Sequence, residues 1–345
     1  MPPPTASSGP VADRDASFAA FLVTRYGEQV TCGVSPLTLD DLPSGDVLVE
    51  VAWSAVNYKD GMVTRPGNRV ARVSPLVPGV DLVGTVVETS SGAIAVGSQV
   101  VVHGYDLGVA RHGGFARFAR VPSEWVVPLP AGLSPRRAAA LGTAGFTAAL
   151  SLHRLERHGL HPDAGPVLVT GASGGVGGMA VALCAARGYE VVASTGRPAG
   201  RDQLIGLGAA EVIGRDDLVV APERTLGPER WAGAIDCVGG ATLAAVLRTL
   251  RYGAAVAASG LTGGNAFESS VYPFIVRGCA LLGIDTVETP ITERRSVWVE
   301  MAASFPPEAI DALVEGEVDL DGLEPVLDAI LAGRVRGRML VRPGG

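Results

Sequence analysis

Val167-Leu-Val-Thr-Gly171-Ala-Ser-Gly174-Gly175-Val-Gly177 runs from an apolar strand-like stretch through clustered glycines into a helical pattern. Val176, Met179, Ala180 and Leu183 fall at i, i+3, i+4 and i+7, one face of a helix. In a G-x-G-x-x-G frame Ala172 takes the first glycine position, and Gly174 and Gly177 take the second and third. Gly174 lets the backbone approach a pyrophosphate, and Gly177 lets the helix pack on the strand. The helix N-terminus then offers N–H groups and a positive dipole end to phosphates. Such turns also serve as plain elbows, so the surroundings must decide.

They favour the nucleotide reading. Strand-like runs at 167–170, 190–194, 211–213, 232–238, 253–259 and 280–284 alternate with helical ones. This alternation predicts parallel strands with right-handed crossovers, a doubly wound α/β sheet of the Rossmann type. Upstream, residues 18–141 read as β-rich, with short apolar runs at 47–51, 84–87 and 99–102 and a closing run at 126–130. After about residue 285 the alternation stops. Helices at 292–303 and 322–332 and a strand at 338–341 form a tail too short to fold alone. The expected layout is a disordered tail at 1–17, a catalytic domain at 18–141 and a nucleotide-binding domain at 142–286. Residues 287–345 return to complete the catalytic domain, which is therefore discontinuous.

The second strand selects the nucleotide. An NAD site carries Asp or Glu about 20 residues beyond the glycines, where it binds the ribose 2′-OH. Here the run ends in Ser194-Thr195-Gly196-Arg197, with no carboxylate to repel a 2′-phosphate. Thr195 and Arg197 supply a hydroxyl and a guanidinium that bind one, so NADPH is the expected cofactor.

Composition closes off other classes. The 345 residues carry 28 basic and 35 acidic side chains, a net charge of −7, with no basic run, which disfavours nucleic acid. Cys32, Cys184, Cys237 and Cys279 lie far apart and form no Cys-x-x-Cys pair, as suits reduced thiols in a cytoplasmic protein. No apolar run reaches the length of about 18 residues that a membrane span needs. His153, His158 and His161 lack partners at ligand spacing and read as surface residues. His103 and His112 flank a glycine-rich loop, where a structural role is the plainer reading. Ser173 superficially matches a G-x-S-x-G elbow, but the glycines after it make it a phosphate-loop serine.

Asn57-Tyr58-Lys59-Asp60, Pro78-Gly79-Val80-Asp81-Leu82-Val83-Gly84, Gly142-Thr-Ala-Gly-Phe-Thr-Ala148 and the 170–177 turn resemble the quinone oxidoreductase branch of the medium-chain dehydrogenase/reductase superfamily. With Trp231-Ala-Gly-Ala-Ile-Asp236 and Tyr272-Pro-Phe-Ile-Val-Arg277, the resemblance narrows to the acryloyl-CoA reductase subfamily. It implies a GroES-like catalytic domain, a Rossmann domain, a cleft between them and no zinc; a homodimer acting on a small-molecule substrate is also expected. It further implies that Tyr58, Thr143, Ser173, Gly174, Gly175, Val176, Thr195, Gly196, Arg197, Arg215 and Leu261 line the NADPH site. The family usually carries serine where this chain has Thr195, and a serine is also more typical where Thr286 stands. Zinc-dependent relatives carry Cys where this chain has Asn57 and His-Glu where it has Val80-Asp81, so the catalytic zinc set is missing and no metal is expected.

A reductase without metal needs donors aimed at the developing oxyanion and a proton source. The resemblance places Asn57, Tyr58 and Lys59 at the nicotinamide end, with Tyr58 as the main donor. Lys59 and Asp60 also fit a mere loop-fixing pair. Arg65, Arg69 and Arg72 follow, suited either to coenzyme A phosphates or to solvent. The leading expectation is NADPH-dependent reduction of acryloyl-CoA or a similar short 2-enoyl thioester. A quinone or enone reductase is the alternative enzyme, and a non-catalytic NADPH-binding sensor the alternative class.

Overall fold

The computed structural model describes residues 16–218 and 224–344; the expected tail at 1–17 lies outside them except for Ala16 and Ser17. The chain divides into two compact units. The first comprises residues up to Leu129, Glu317–Ala332 and the stretch from Leu340 onward; the second comprises Pro130–Gly316 and Gly333–Met339.

The first unit opens with an antiparallel hairpin, β1 (Phe18–Tyr26) and β2 (Gln29–Leu37). There follow β3 (Val47–Ala55), α1 (Tyr58–Val63), β4 (Asp81–Thr89), β5 (Gln99–His103), β6 (Phe118–Val121) and β7 (Val127–Pro128). β3 pairs antiparallel with β4 and β6, and β5 pairs with β4 and β7. Alternation builds its core: Val47, Val49 and Val51 of β3 bury with Leu82, Val86, Val100 and Val102. Each such side chain contributes about 1.5–3 kcal/mol.

The second unit begins with α2 (Pro135–Arg157), capped by Ser134 Oγ accepting from Arg137 N, with proline at its first position. Then come β8 (Val167–Thr170), α3 (Gly175–Ala186), β9 (Val191–Thr195), α4 (Arg201–Gly206), β10 (Glu211–Gly214), β11 (Trp231–Asp236), α5 (Gly240–Thr249), β12 (Leu250–Ala258), α6 (Tyr272–Arg277) and β13 (Ala280–Gly283). The strand order is β10-β9-β8-β11-β12-β13, and every pairing is parallel. The order reverses between β8 and β11, and ligands bind outside the strand ends at such a switch point. α3 is buried along Gly177–Cys184 rather than on one face, because it packs against both α2 and the sheet.

Two boundaries differ from the sequence-based layout. The division at 141/142 falls inside α2, at a kink where Gly142 takes φ 44°. Residues 130–141 belong to the second unit because Ala138–Leu141 bury within it, and Arg338 Nε bonds Ala140 O at 2.9 Å. The segment from 287 also stays there through α7 (Ile291–Ser304) and α8 (Pro307–Ala312), which pack on α2 with Val297, Trp298 and Met301 buried. The chain then forms β14 (Val314–Asp319), α9 (Leu323–Leu331) and β15 (Arg338–Arg342). β15 pairs with both β14 and β3.

Candidate active site

In the second unit the turn after β8 is held by hydrogen bonds that leave the helix end open. Thr170 Oγ1 donates to Asp236 Oδ1 at 2.6 Å and accepts from Cys237 N at 3.1 Å, while Gly239 N donates to Asp236 Oδ2 at 2.8 Å. This ties the ends of β8 and β11 together at the switch point; burial pushes the Asp236 carboxyl up. Gly174 is the N-cap of α3 with extended backbone and no side-chain cap bond. The first-turn N–H groups thus face the turn, as a pyrophosphate requires. A Cβ on Gly177 would lie 2.3 Å from Gly171 O, so only glycine permits this approach of helix to strand.

The structure brings Ser173 and Thr195 together, their hydroxyls 2.9 Å apart, and Thr195 Oγ1 accepts from Arg197 N at 3.1 Å. Beside them lies a cleft of about 450 Å³ lined by Thr195, Gly196, Arg201, Val212, Ile213, Gly214, Arg215 and Asp216. Arg215 lies over Gly196, whose Cβ would stand 3.0 Å from its Nη2. Arg197 is placed differently: its guanidinium donates to Val335 O at 3.2 Å and to Gly333 O. Gly175 and Val176 open α3, Thr143 follows the Gly142 kink in α2, and Leu261 is exposed just beyond β12. Thr286 O accepts from the fully buried Arg294 at 3.1 Å. Sequence reasoning missed Arg201, and also Arg338. The latter is buried, with Cδ 3.2 Å from where a Gly175 Cβ would be. Its only signal was its basic character, far from the glycines in sequence.

In the first unit Asn57 is the N-cap of α1 and Tyr58 its first residue. Gly61 sets the helix against α9: a Cβ there would stand 2.8 Å from Leu331 Cγ and 3.0 Å from Leu327 O. Asn57 Nδ2 donates to Asp81 Oδ2 at 2.7 Å and to Ala55 O at 3.2 Å. Tyr58 and Lys59 point outward, Tyr58 with 41 % exposure. Asp60 does not pair with Lys59 as the sequence allowed. It is fully buried and accepts from Asn57 N at 2.8 Å, Gly79 N at 3.0 Å and Val80 N at 3.1 Å. Burial, with the nearby Asp81 charge, pushes its carboxyl up to about 7 against the pull of those N–H groups.

The other sequence candidates settle into structural partners. His103 is buried on β5 opposite Asp81, and His112 Nδ1 accepts from Val77 N at 3.2 Å. Arg65 pairs with Asp328 of α9 and Arg72 with Asp106 at 3.1 Å, while Arg69 is exposed. Among the described residues no group of three or more His, Cys, Asp or Glu is placed to hold a metal ion. No helix among them is long and apolar enough to cross a membrane.

A doubly wound sheet with an open phosphate turn defines the nucleotide-binding class, and the comparisons narrow it. Residues 43–131 match the alcohol dehydrogenase GroES-like domain, and residues 175–303 match the zinc-binding dehydrogenase model. The acrylyl-CoA reductase AcuI of Ruegeria pomeroyi is 46 % identical over 328 residues, spanning 94 % of this chain and 98 % of the relative. YhfP of Bacillus subtilis, whose name proposes a quinone oxidoreductase, is 46 % identical over 325 residues with the same two shares. The crystal structure of YhfP with NAD bound matches with a TM-score of 0.93 at 45 % identity, covering 95 % of this chain and 100 % of that one. The yhdH oxidoreductase of Salmonella enterica in complex with NADP gives 0.91 at 41 %, covering 94 % and 99 %. The chain therefore belongs to the medium-chain dehydrogenase/reductase superfamily, in the quinone oxidoreductase branch that includes the acrylyl-CoA reductases.

Proposed function

We propose that this protein is a cytoplasmic, zinc-independent reductase that uses NADPH to reduce the C=C bond of acryloyl-CoA or a similar short 2-enoyl thioester. The observation that carries the reading is the near-full-length likeness to AcuI. The residues present fit the cofactor. The N–H groups opening α3 suit the pyrophosphate. The end of β9 carries Thr195 in place of an acid, beside a cleft that Arg215 lines. Ser173, Gly174, Gly175, Val176, Thr195, Gly196, Arg197, Arg215, Thr143 and Leu261 would hold NADPH, with Tyr58 against its nicotinamide.

When bound, NADPH would supply a hydride for Cβ of the substrate and leave as NADP⁺; the protein's own residues would have to stabilise the negative charge on the thioester oxygen while Cα takes a proton from solvent water. The Tyr58 hydroxyl is the proposed donor to that oxygen, and its exposure leaves it accessible to a substrate. Asn57 orients it: the side-chain bond to Asp81 and the three N–H bonds to Asp60 fix the start of α1, and Tyr58 with it. Lys59 adds an exposed cation beside it.

The likeness to YhfP favours a second acceptor class, a quinone or enone, with the same hydride donor. NADPH oxidation with acryloyl-CoA, crotonyl-CoA, a quinone and no acceptor separates these readings. Fast turnover with the thioesters supports the proposal, turnover with quinone alone transfers it to the second class, and no turnover points to a non-catalytic NADPH-binding protein. We further propose a homodimer formed through β13, one of the two edge strands of its sheet. Val271, Ile275 and Leu281 are exposed on and near it. Light scattering tests this, with Ile275→Asp expected to yield monomer.

A further inference from the structure

We propose that Arg201, on the first turn of α4, binds the 2′-phosphate of NADPH and is a determinant of the preference for NADPH over NADH. This rests on the cofactor reading above and extends it to a residue outside the end of β9. The cleft of about 450 Å³ has the size of a small-ligand site. Val212 and Ile213 give it an apolar wall, and Thr195 and Gly196 close it on the β9 side. Among the described residues that line it, the cations are Arg201 and Arg215.

Charge balance makes the second cation matter. Asp216 also lines the cleft, so Arg215 alone would leave it without net charge. Arg201 turns the balance positive, as a dianionic phosphate requires and a ribose 2′-OH does not. Arg201 is also anchored: its Nη1 donates to Val212 O at 2.8 Å. That bond engages one of five guanidinium N–H donors and orients the planar fork, so less rotamer freedom is lost when a phosphate arrives. Arg197, by contrast, directs two nitrogens to the carbonyls of Gly333 and Val335 and does not line the cleft.

The test measures binding of NADPH and NADH to the full-length protein by nicotinamide fluorescence, without turnover. Wild type, Arg201→Ala and Arg201→Lys are compared, with 2′,5′-ADP and 5′-AMP as competitors. Arg201→Ala should weaken NADPH and 2′,5′-ADP about tenfold or more while NADH and 5′-AMP stay within about twofold. Arg201→Lys should recover part of the loss, because the charge returns without the fork. Unchanged NADPH binding in Arg201→Ala overturns the proposal. So does an equal loss for NADH, which would make Arg201 only a support for the Val212 carbonyl. A wild-type protein that does not prefer NADPH overturns the cofactor reading itself. A preference that survives in Arg201→Ala overturns the role of Arg201 alone.

Discussion

Replacing Asp60 with asparagine (Asp60→Asn) should flatten the pH dependence of folding stability between about pH 4 and 7. The Asp60 carboxyl is fully buried, and burial is the main cause of its rise from the ordinary 3.8 to about 7. The N–H groups of Asn57, Gly79 and Val80 oppose that rise, and Asp81 adds to it. Between the two values the folded protein keeps a proton that the unfolded chain has lost. The stabilising contribution of protonated Asp60 is therefore complete below about pH 4 and is lost as pH rises through about 7. The slope is about 1.4 kcal/mol per pH unit, so the full interval is worth roughly 4 kcal/mol. The introduced amide cannot ionise, but its NH₂ group must face a backbone N–H that the carboxylate accepted. That leaves a buried donor unmet at a cost of about 1–3 kcal/mol. This cost does not change with pH. Relative to wild type, the variant should therefore gain roughly 3 kcal/mol between about pH 5 and pH 7. Urea unfolding of both proteins across that range and one unit beyond it, followed by tryptophan fluorescence, measures this difference. Parallel pH profiles would refute the reasoning, because Asp60 would then be ionised in the fold throughout, held by its three N–H donors.

Tyr58→Phe should keep NADPH affinity while kcat with acryloyl-CoA falls about a hundredfold, the typical effect of losing one oxyanion donor; turnover surviving within a few-fold would make Tyr58 a packing residue. Arg215→Ala should cost roughly ten- to hundredfold in NADPH affinity and little in NADH affinity, because Arg215 lines the cleft beside Gly196. Arg197→Ala should change the ratio of the two far less, its guanidinium being held by the Gly333 and Val335 carbonyls; an equal or larger change than in Arg215→Ala would refute this placement. Dialysis against a chelator should leave activity intact, since Asn57 and Asp81 bond each other where zinc-dependent relatives place ligands; stoichiometric zinc whose removal abolishes activity would contradict this.

Local rules sufficed for the nucleotide-binding half. Strand, glycine turn and helix are contiguous in the chain, and the strand-to-helix alternation around 167–284 leaves few topologies, so the sheet and its phosphate turn were legible in the residues alone. The absence of an acid after β9 and the Asn57-Tyr58-Lys59-Asp60 segment were legible for the same reason, as short runs of neighbours. Contacts distant in sequence were not. Periodicity showed a helix at 292–303 but could not show that its buried Trp298 and Met301 face would stay with the second unit. A stretch of charged and small residues hid β14, because its ladder partner β15 arrives only after α9. In sequence Asp60 fitted a loop-fixing pair with Lys59; the fold instead brings the N–H groups of Gly79 and Val80 to it and removes it from water. Arg197 stood at the expected place in sequence, yet the carbonyls of residues 333 and 335 hold its guanidinium, while Arg201 and Arg215 reach the cleft. Backbone type and strand order follow from local sterics and apolar spacing. Which charge is buried, and which arginine faces the ligand, depends on groups that only the folded chain brings together.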